Sequence, residues 1–234
     1  MLAVLLLLLL DGEPPPAGFV DLATVAPGVL VNMRYFGNEN FVGRRVKGYQ
    51  ASRCLLSRRA ALALAAAEKE LEAQGLALMV YDCYRPQRAV DDFVAWARDL
   101  RDTKTKAFHY PDVNKAVLFS SGYISSRSAH SRGSTVDLTL VRMPRADPYT
   151  AADCRSLRGV TAPDGTADMG TTWDCFDERS HTNHPGISER ARRNRVFLRD
   201  LMVKHGFVPY GKEWWHFTLA DELYPSTYFD FPVR

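Results

Sequence analysis

The sequence has no block of five or six basic residues, only four cysteines, and no apolar stretch long enough to cross a bilayer. Lys and Arg number 30 against 27 Asp and Glu, and the net charge of +3 is too small to indicate a nucleic-acid partner. Four cysteines are too few for a disulfide scaffold. A spanning helix needs about 20 apolar residues, so the run from Leu2 to Leu10 predicts no stable membrane insertion.

The composition is that of an ordinary globular protein, with 46% hydrophobic and 24% charged residues. At roughly 100–200 residues per domain, 234 residues predict a single domain over 18–234 behind an appendage over 1–17. The apolar run in this appendage fits the core of a secretory signal, which is ~7–15 residues long. No Lys or Arg precedes it and no clean small-x-small site follows. We therefore expect a leader or truncated signal peptide, with an unstructured apolar start as the alternative.

Hydrophobic periodicity predicts three helices and four strands. The helical patterns cover residues 57–74, 86–100 and 188–205, with Leu100 on the apolar face of the second and Phe197 on that of the third. The strand patterns cover residues 76–81, 135–141, 207–210 and 214–219. Helices early and late, with antiparallel strands between them, favour an α+β fold with a small antiparallel sheet and flanking helices over a parallel α/β sheet.

Two segments carry side chains that commonly bind metal ions: residues 128–137, SAHSRGSTVD, and residues 213–216, EWWH. Side chains alternate between the faces of a strand, so Asp137 and His216 each point away from their apolar neighbours. If both strands place their apolar faces in one core, the two side chains project from the same side of the sheet. Imidazole nitrogen and carboxylate oxygen both bind zinc at about 2.0–2.2 Å, which predicts a zinc site there.

His130 lies seven residues before Asp137, an odd spacing that a regular strand would send to the opposite face. Gly133 permits a turn or bulge between them that re-aims the chain. A bend next to Gly211 would bring Glu213 over the metal without making it a ligand. Three protein ligands with an open fourth position are typical of catalytic zinc. Glu213 then takes the proton of the attacking water and delivers it to a leaving amine.

Each of these patterns alone is short, and a His beside Trp in a strand is more often a core residue than a ligand. A third segment, residues 81–89, places Arg85 where a buried strand ends, directly before Pro86. A permanently charged guanidinium there suits the oxyanion of a tetrahedral intermediate. The alternative is that Arg85 merely pairs with Asp82 or a loop carbonyl, and this segment by itself favours that alternative.

Five motifs together closely resemble those of the D-alanyl-D-alanine dipeptidases of the vancomycin-resistance type, zinc peptidases related to the DD-carboxypeptidases. They are YRPQRAV, SAHSRGSTVDLTL, DERSH, EWWHF and YFDFPVR, in that order along the chain. The resemblance runs from about residue 21 to the end. It implies the zinc DD-peptidase/hedgehog-like fold, one Zn²⁺ per chain, and hydrolysis of the small dipeptide D-Ala-D-Ala to two D-alanines.

The resemblance also implies roles for individual residues. The zinc ligands it implies are His130, Asp137 and His216, with Glu213 as general acid/base and Arg85 as stabiliser of the oxyanion. The substrate-binding residues it implies are Ser128, Asp174, which meets the ammonium of the dipeptide, and Tyr35 beside it. A free ammonium distinguishes a dipeptide from the end of a longer chain, because a longer peptide would leave the Asp174 carboxylate unpaired.

Two departures from the family pattern concern the surroundings of the site. Ala129 stands where the family has a second serine, and the loop over 142–167 is expanded. If that loop borders the site entrance, the pocket need not be limited to dipeptides, so a DD-carboxypeptidase or endopeptidase acting on longer peptidoglycan peptides is the first alternative. A non-catalytic zinc-binding module is the second, although such a module needs neither Glu213 nor Arg85.

The remaining histidines are expected to lie outside the metal site. His181 and His184 have the spacing of a helical metal pair, but Pro185 and Gly186 follow directly and make a helix improbable there. No partner segment accompanies His109 or His205. We interpret those two as ordinary surface or packing residues.

The cysteines predict two disulfides and bear on the compartment. Cys54 is expected to open a helix and Cys83 to end the next strand, so a bridge between them is geometrically reasonable. Cys154 and Cys175 bracket the long loop, where a bridge would contribute about 3 kcal/mol. Disulfides indicate an oxidising compartment, so we favour a periplasmic or otherwise exported enzyme that scavenges wall fragments over a cytoplasmic resistance factor.

Overall fold

The structure is a computed structural model that describes residues 15–234. The apolar run 2–10 and nearly all of the predicted leader lie outside the described residues. The helices are α1 (Leu22–Val25), α2 (Arg58–Glu72), α3 (Gln87–Arg98), α4 (Lys106–His109) and α5 (Glu189–Lys204). The strands are β1 (Phe19–Asp21), β2 (Leu30–Val31), β3 (Leu55–Ser57), β4 (Leu76–Asp82), β5 (Thr135–Arg142), β6 (Phe207–Pro209) and β7 (His216–Leu219).

A five-stranded sheet forms the centre of the fold, in the order β2-β4-β5-β7-β6. Its pairs are antiparallel except β2–β4, which is parallel. Strands β1 and β3 form a separate antiparallel pair. The prediction of an α+β fold with a small antiparallel sheet and flanking helices is confirmed. It contained neither the separate β1–β3 pair nor the parallel pairing of the short edge strand β2.

The long helices begin where the sequence predicts. The Ser57 hydroxyl accepts a hydrogen bond from the Ala60 amide and caps α2, and the Ser188 hydroxyl does the same for α5 through Ala191. Helix α3 follows Pro86, whose fixed φ suits a helix start. Helix α2 packs on β4, and α5 packs on β5 and β6, so the sheet is covered by helices.

The register of three adjacent strands gathers polar side chains at one end of the sheet. Asp137, near the start of β5, lies opposite Asp82 at the end of β4 and opposite His216 at the start of β7. Residues opposite each other on neighbouring strands point to the same face. The sheet therefore places two carboxylates and an imidazole side by side.

Three local expectations are wrong. Helix α3 ends at Arg98, so Leu100 lies beyond its last turn and is 54% exposed. Phe197 is 37% exposed because it lies at the edge of the apolar face of α5, whereas Leu198 is fully buried. Cys54 leads into strand β3 rather than opening a helix, because the chain pairs with β1 before α2 begins.

Both cysteine pairs named from the sequence are bonded. Cys54 and Cys83 have their Cα atoms 5.3 Å apart, and Cys154 and Cys175 have theirs 5.5 Å apart. The first bridge ties the end of β4 to the start of β3. Over residues 15–234, no helix combines the length and apolar character that a membrane crossing requires.

Candidate metal centre and substrate cavity

Three potential metal ligands converge from two strands and a turn. Asp137 and His216 are cross-strand neighbours, and His130 lies in a 3₁₀ turn over Ala129–Arg132. Gly133 ends that turn in the left-handed region, with φ 82°, and a Cβ there would collide with the ring of Phe19. The chain can therefore reverse between His130 and β5 as the sequence predicts, because glycine tolerates both the conformation and the close approach.

The hydrogen-bonding state of His130 leaves one ring nitrogen for a metal. Its Nδ1 lies 2.7 Å from the Cys83 carbonyl oxygen, which can only accept, so Nδ1 carries the hydrogen. Burial lowers the pKa of His130, and in the neutral ring Nε2 is then an acceptor. That atom lies 3.2 Å from Asp137 Oδ1. Two buried acceptors at this distance repel each other unless a cation lies between them.

The spacing of the three ligand atoms fits zinc. His216 Nδ1 lies 3.0 Å from Asp137 Oδ1 and 3.3 Å from His130 Nε2. Ligand atoms about 2.0–2.1 Å from a tetrahedral ion lie roughly 3.3 Å from one another. Within residues 15–234 these side chains form the one group of three or more His, Cys, Asp or Glu close enough to hold a metal.

The Asp137 carboxylate is held from behind by an indole. Its Oδ2 accepts a hydrogen bond from Trp173 Nε1 at 3.3 Å, which turns Oδ1 toward the two histidines. Burial opposes ionisation of Asp137, but the facing imidazoles of His130 and His216 keep its pKa below the usual range. The carboxylate is therefore charged, and its orientation is set by the Trp173 hydrogen bond. Metal ligands are generally oriented in this way, by a hydrogen bond to an atom that does not bind the metal.

Arg85 extends from the end of β4 toward the same centre. Its Nε donates to Asp82 Oδ2 at 2.8 Å, and Asp82 Oδ1 accepts from the Tyr49 hydroxyl at 2.6 Å. Its Nη2 lies 3.7 Å from Asp137 Oδ2, and its Nη1 lies 3.4 Å from the Ser128 hydroxyl. The guanidinium thus pairs with Asp82, as the alternative interpretation held, and that same pairing directs its free end into the site.

Glu213 lies beside the centre without joining it. Its Oε2 is 3.5 Å from His216 Nδ1, and a quarter of the side chain is exposed. A turn over residues 210–216, closed by the Tyr210 amide on the His216 carbonyl, carries it there. Burial raises its pKa, with the charge of Asp137 acting in the same direction. This is the environment of a carboxylate that exchanges protons.

Asp174 and Tyr35 form a buried acidic pair, called the acidic wall below, and the Tyr35 ring lies 5.1 Å from the Arg85 Cζ. The Tyr35 hydroxyl donates to Asp174 Oδ2 at 2.5 Å, and Asp174 is only 6% exposed. Burial and the charge of Asp137 raise the pKa of Asp174 well above its usual range. Its backbone has φ 52°, a left-handed conformation that non-glycine residues rarely adopt.

A buried arginine anchors the segment that carries Trp173 and Asp174. The Arg195 guanidinium, reaching out of α5, donates to the backbone carbonyls of Met169, Arg179 and His181 at 2.6–2.7 Å. These bonds hold both ends of the segment against the helix, so the acidic wall belongs to the folded core rather than to a loose loop.

One cavity of about 400 Å³ joins these parts. The predicted site residues that line it are Tyr35, Arg85, Ser128, Asp137, Asp174, Glu213 and His216, and His130 lies behind them, fully buried. No residue of the segment 142–167 lines this cavity. That segment instead borders a second cavity of about 590 Å³, on the far side of Trp173. The expanded loop therefore does not border the candidate active site, contrary to the concern raised by the sequence.

The other histidines lie outside the ligand group. His181 and His184 follow a 3₁₀ turn over Glu178–Ser180 rather than forming a helix, as the sequence predicts. His205 is partly buried and contacts Glu70 at 3.1 Å. His109 is only 8% exposed, so it is a packing residue and not a surface one.

Sequence reasoning missed the residues that orient the candidate ligands. Trp173 and Tyr49 carry no motif of their own, and the Cys83 carbonyl is backbone. Asp82 entered only as a competing partner of Arg85. The available signal was position alone: Asp82 and Cys83 lie within the segment 81–89 that carries Arg85, and Trp173 directly precedes Asp174.

A ligand set that opens onto a substrate-sized cavity is typical of catalytic metals, whereas structural sites are closed by a fourth ligand. The cavity also presents a carboxylate for proton transfer and a guanidinium for a developing oxyanion, as acyl transfer requires. These features place the protein among the metallopeptidases.

Comparison with known proteins agrees. A family model described as Peptidase_M15, D-ala-D-ala dipeptidase, matches residues 16–234, and the chain belongs to this family. It is 39% identical to a D-alanyl-D-alanine dipeptidase of Enterococcus faecium over 93% of this chain and 98% of the relative. The enzyme of that name from Streptomyces coelicolor is 38% identical over 92% of this chain and 96% of the relative. The one from Escherichia coli is 34% identical over 86% of this chain and 83% of the relative.

A solved structure of a vancomycin-resistance D,D-pentapeptidase VanY variant with Zn(II) is 15% identical. The superposition includes 81% of this chain and 85% of the VanY chain, with a TM-score of 0.39. That overall similarity is too low to support a comparison of the two sites.

Proposed function

We propose that the protein hydrolyses the dipeptide D-Ala-D-Ala to two D-alanines, with one zinc ion held by His130, Asp137 and His216. The observation that carries the proposal is that one cavity joins this ligand group to Glu213, Arg85 and the buried Asp174–Tyr35 pair. The curated relatives that share the chain's length are named for this substrate.

Glu213 carries out the proton transfers of the reaction. Zinc, when bound, acidifies water and polarises the scissile carbonyl. Glu213 takes the proton of the attacking water and passes it to the departing amine, so one water is consumed and one C–N bond breaks for each pair of D-alanines formed. Its raised pKa and its position 3.5 Å from His216 support this role.

Arg85 stabilises the oxyanion that forms on the scissile carbonyl. Its guanidinium is fixed by Asp82 and by the rings of Tyr35 and Phe93, which lie 5.1 and 5.0 Å from its Cζ. A donor fixed before the reaction needs no reorganisation when charge develops. Ser128, 3.4 Å from Nη1, is placed to orient the substrate beside it.

Asp174 selects dipeptides by their free ammonium. The Tyr35 hydroxyl occupies Oδ2, and over residues 15–234 no hydrogen bond reaches Oδ1. An ammonium at Oδ1 would neutralise the carboxylate, whereas an acylated nitrogen would leave Oδ1 without a cationic partner. Since the expanded loop lies at the other cavity, no observation favours a carboxypeptidase acting on longer peptides.

The test compares D-Ala-D-Ala with N-acetyl-D-Ala-D-Ala on the zinc-loaded protein. We expect the free dipeptide to be preferred by about 100-fold in kcat/KM, because only the free ammonium can form a charge-assisted hydrogen bond to Asp174, which contributes up to about 3 kcal/mol. Asp174→Asn is expected to reduce that preference mainly through the free dipeptide, and Asp177→Asn, close in sequence and outside the cavity lining, is the matched control. Preference of the wild-type protein for the blocked substrate would refute the dipeptidase proposal.

We propose further that the protein acts in an oxidising compartment such as the periplasm, where it would recover D-alanine from wall fragments. The two disulfides support this, since such bonds rarely persist in the cytosol. We expect native protein to fractionate with the periplasm and to show no reactive thiols after unfolding without reductant. Four reactive thiols, or recovery in the cytoplasmic fraction, would refute export.

A further inference from the structure

His109 is a buried histidine that the proposed mechanism does not use, and it lies directly behind the acidic wall of the cavity. Its Nδ1 is 3.1 Å from the backbone carbonyl oxygen of Asp174. Its own carbonyl accepts a hydrogen bond from the Phe176 amide at 2.8 Å. His109, the last residue of α4, thus forms hydrogen bonds with the two neighbours of Cys175, Asp174 and Phe176.

The same end of α4 is tied to this segment by the disulfide. The Cys154 amide donates to the Phe108 carbonyl at 2.9 Å, and Cys154 is bonded to Cys175. Backbone and covalent links therefore set the position of the segment. The imidazole of His109 is the side chain that reaches the Asp174 peptide itself.

The conformation of Asp174 explains why that peptide needs a fixed partner. At φ 52° Asp174 has a left-handed backbone, which an aspartate keeps where local hydrogen bonds support it. Rotation of the peptide toward the common region would swing the Asp174 side chain away from the Tyr35 hydroxyl. A hydrogen bond to the Asp174 carbonyl opposes that rotation.

We propose that His109 is a positioning residue for ammonium recognition: its Nδ1–H locks the Asp174 peptide so that the Asp174 carboxylate faces the cavity beside Tyr35. The inference rests on the proposed function, because it assigns His109 a purpose only if Asp174 binds the substrate's ammonium. His109 does not touch the substrate.

The chemistry of a neutral imidazole suits this place. Because a carbonyl oxygen only accepts, the hydrogen must lie on Nδ1. Burial lowers the pKa of His109 to about 4. The hydrogen bond to the Asp174 carbonyl raises this pKa, whereas the positive charge of Arg34 lowers it further. The ring therefore donates a hydrogen bond at neutral pH without adding positive charge next to the site of a bound ammonium, which a lysine or arginine would do.

The experiment uses a matched set of zinc-loaded variants. His109→Asn keeps a donor at the δ position, His109→Gln moves it one carbon farther, and His109→Leu removes it. His205→Leu, at a partly buried histidine that contacts Glu70 outside the cavity lining, is the control for loss of a histidine. Each protein is assayed with D-Ala-D-Ala and with N-acetyl-D-Ala-D-Ala, and its zinc content and Tm are measured.

We expect His109→Leu and His109→Gln to raise KM for the free dipeptide about 5- to 10-fold, because a lost hydrogen bond is worth about 1 kcal/mol. The kcat, the zinc content and the kinetics of the acetylated substrate should change less than about twofold. His109→Asn should restore most of the wild-type KM, and His205→Leu should leave it unchanged.

Two results would overturn the inference alone, given normal wild-type turnover of the dipeptide. One is an equal KM in the Asn, Gln and Leu variants; the other is a parallel loss of kcat/KM on both substrates, which indicates a purely structural role. If His109→Leu does not fold, the Asn and Gln pair decides. A wild-type protein that does not hydrolyse the dipeptide overturns the proposed function first, and this inference with it.

Discussion

Glu213→Gln is expected to keep its zinc and lose about 10³-fold in kcat on D-Ala-D-Ala, since general acid–base catalysis contributes typically 10²–10⁴. The substitution preserves the size of the side chain and removes only its capacity to accept and deliver a proton. Glu213 is not in the group of potential ligands, so the metal should remain. The measurement is steady-state turnover beside zinc content by elemental analysis.

The control for this variant is Glu178→Gln, the same change at an exposed glutamate outside the cavity lining. It should have wild-type turnover and zinc content. Unchanged turnover in Glu213→Gln would refute the proposed proton transfer. Loss of zinc from Glu213→Gln would instead show that this carboxylate is a ligand, and the assignment of three protein ligands would be wrong.

Asp137→Asn is expected to weaken zinc binding, which is the second large effect. The amide is isosteric with the carboxylate, but it carries no charge and binds zinc weakly. Changes in the groups that merely orient a ligand already cost 10–100-fold in metal affinity, so we expect a loss of at least about 100-fold here. Turnover at limiting zinc should fall to near background, and excess zinc should restore part of it.

Zinc affinity of this variant is measured by competition with a chelator, with Asp200→Asn on the exposed face of α5 as the control. The Trp173 indole can still donate to the remaining oxygen, so the fold around the site should persist, which near-ultraviolet circular dichroism checks. Wild-type zinc affinity in Asp137→Asn would remove this residue from the ligand set.

Strand alternation explains how much of the site the sequence could predict. The period of two in β5 and β7 is local, and it places Asp137 and His216 on the same face once both strands join one sheet. Gly133 permitted the reversal that brings in His130, and the structure has that reversal. These features depend on the backbone over a few residues, which is why they could be read without the tertiary structure.

The sequence did not predict features that depend on contacts outside a single helix or strand. Leu100 continues a helical period, but the helix ends before it, and a period does not say where burial stops. His109 has no motif, and its contact with Asp174 spans 65 positions of the chain. The loop 142–167 carried no signal of which cavity it borders, and it lines the one behind Trp173.

The sequence by itself determined the α+β class, the helix starts at serine caps, and the family, because caps, periodicity and ordered motifs are local properties of the chain. It also indicated the candidate ligands. Only the tertiary structure decided their orientation: the Cys83 carbonyl sets the tautomer of His130, Trp173 turns Asp137, and Asp82 aims Arg85. These contacts join segments distant in sequence, so they exist only after the strands have paired.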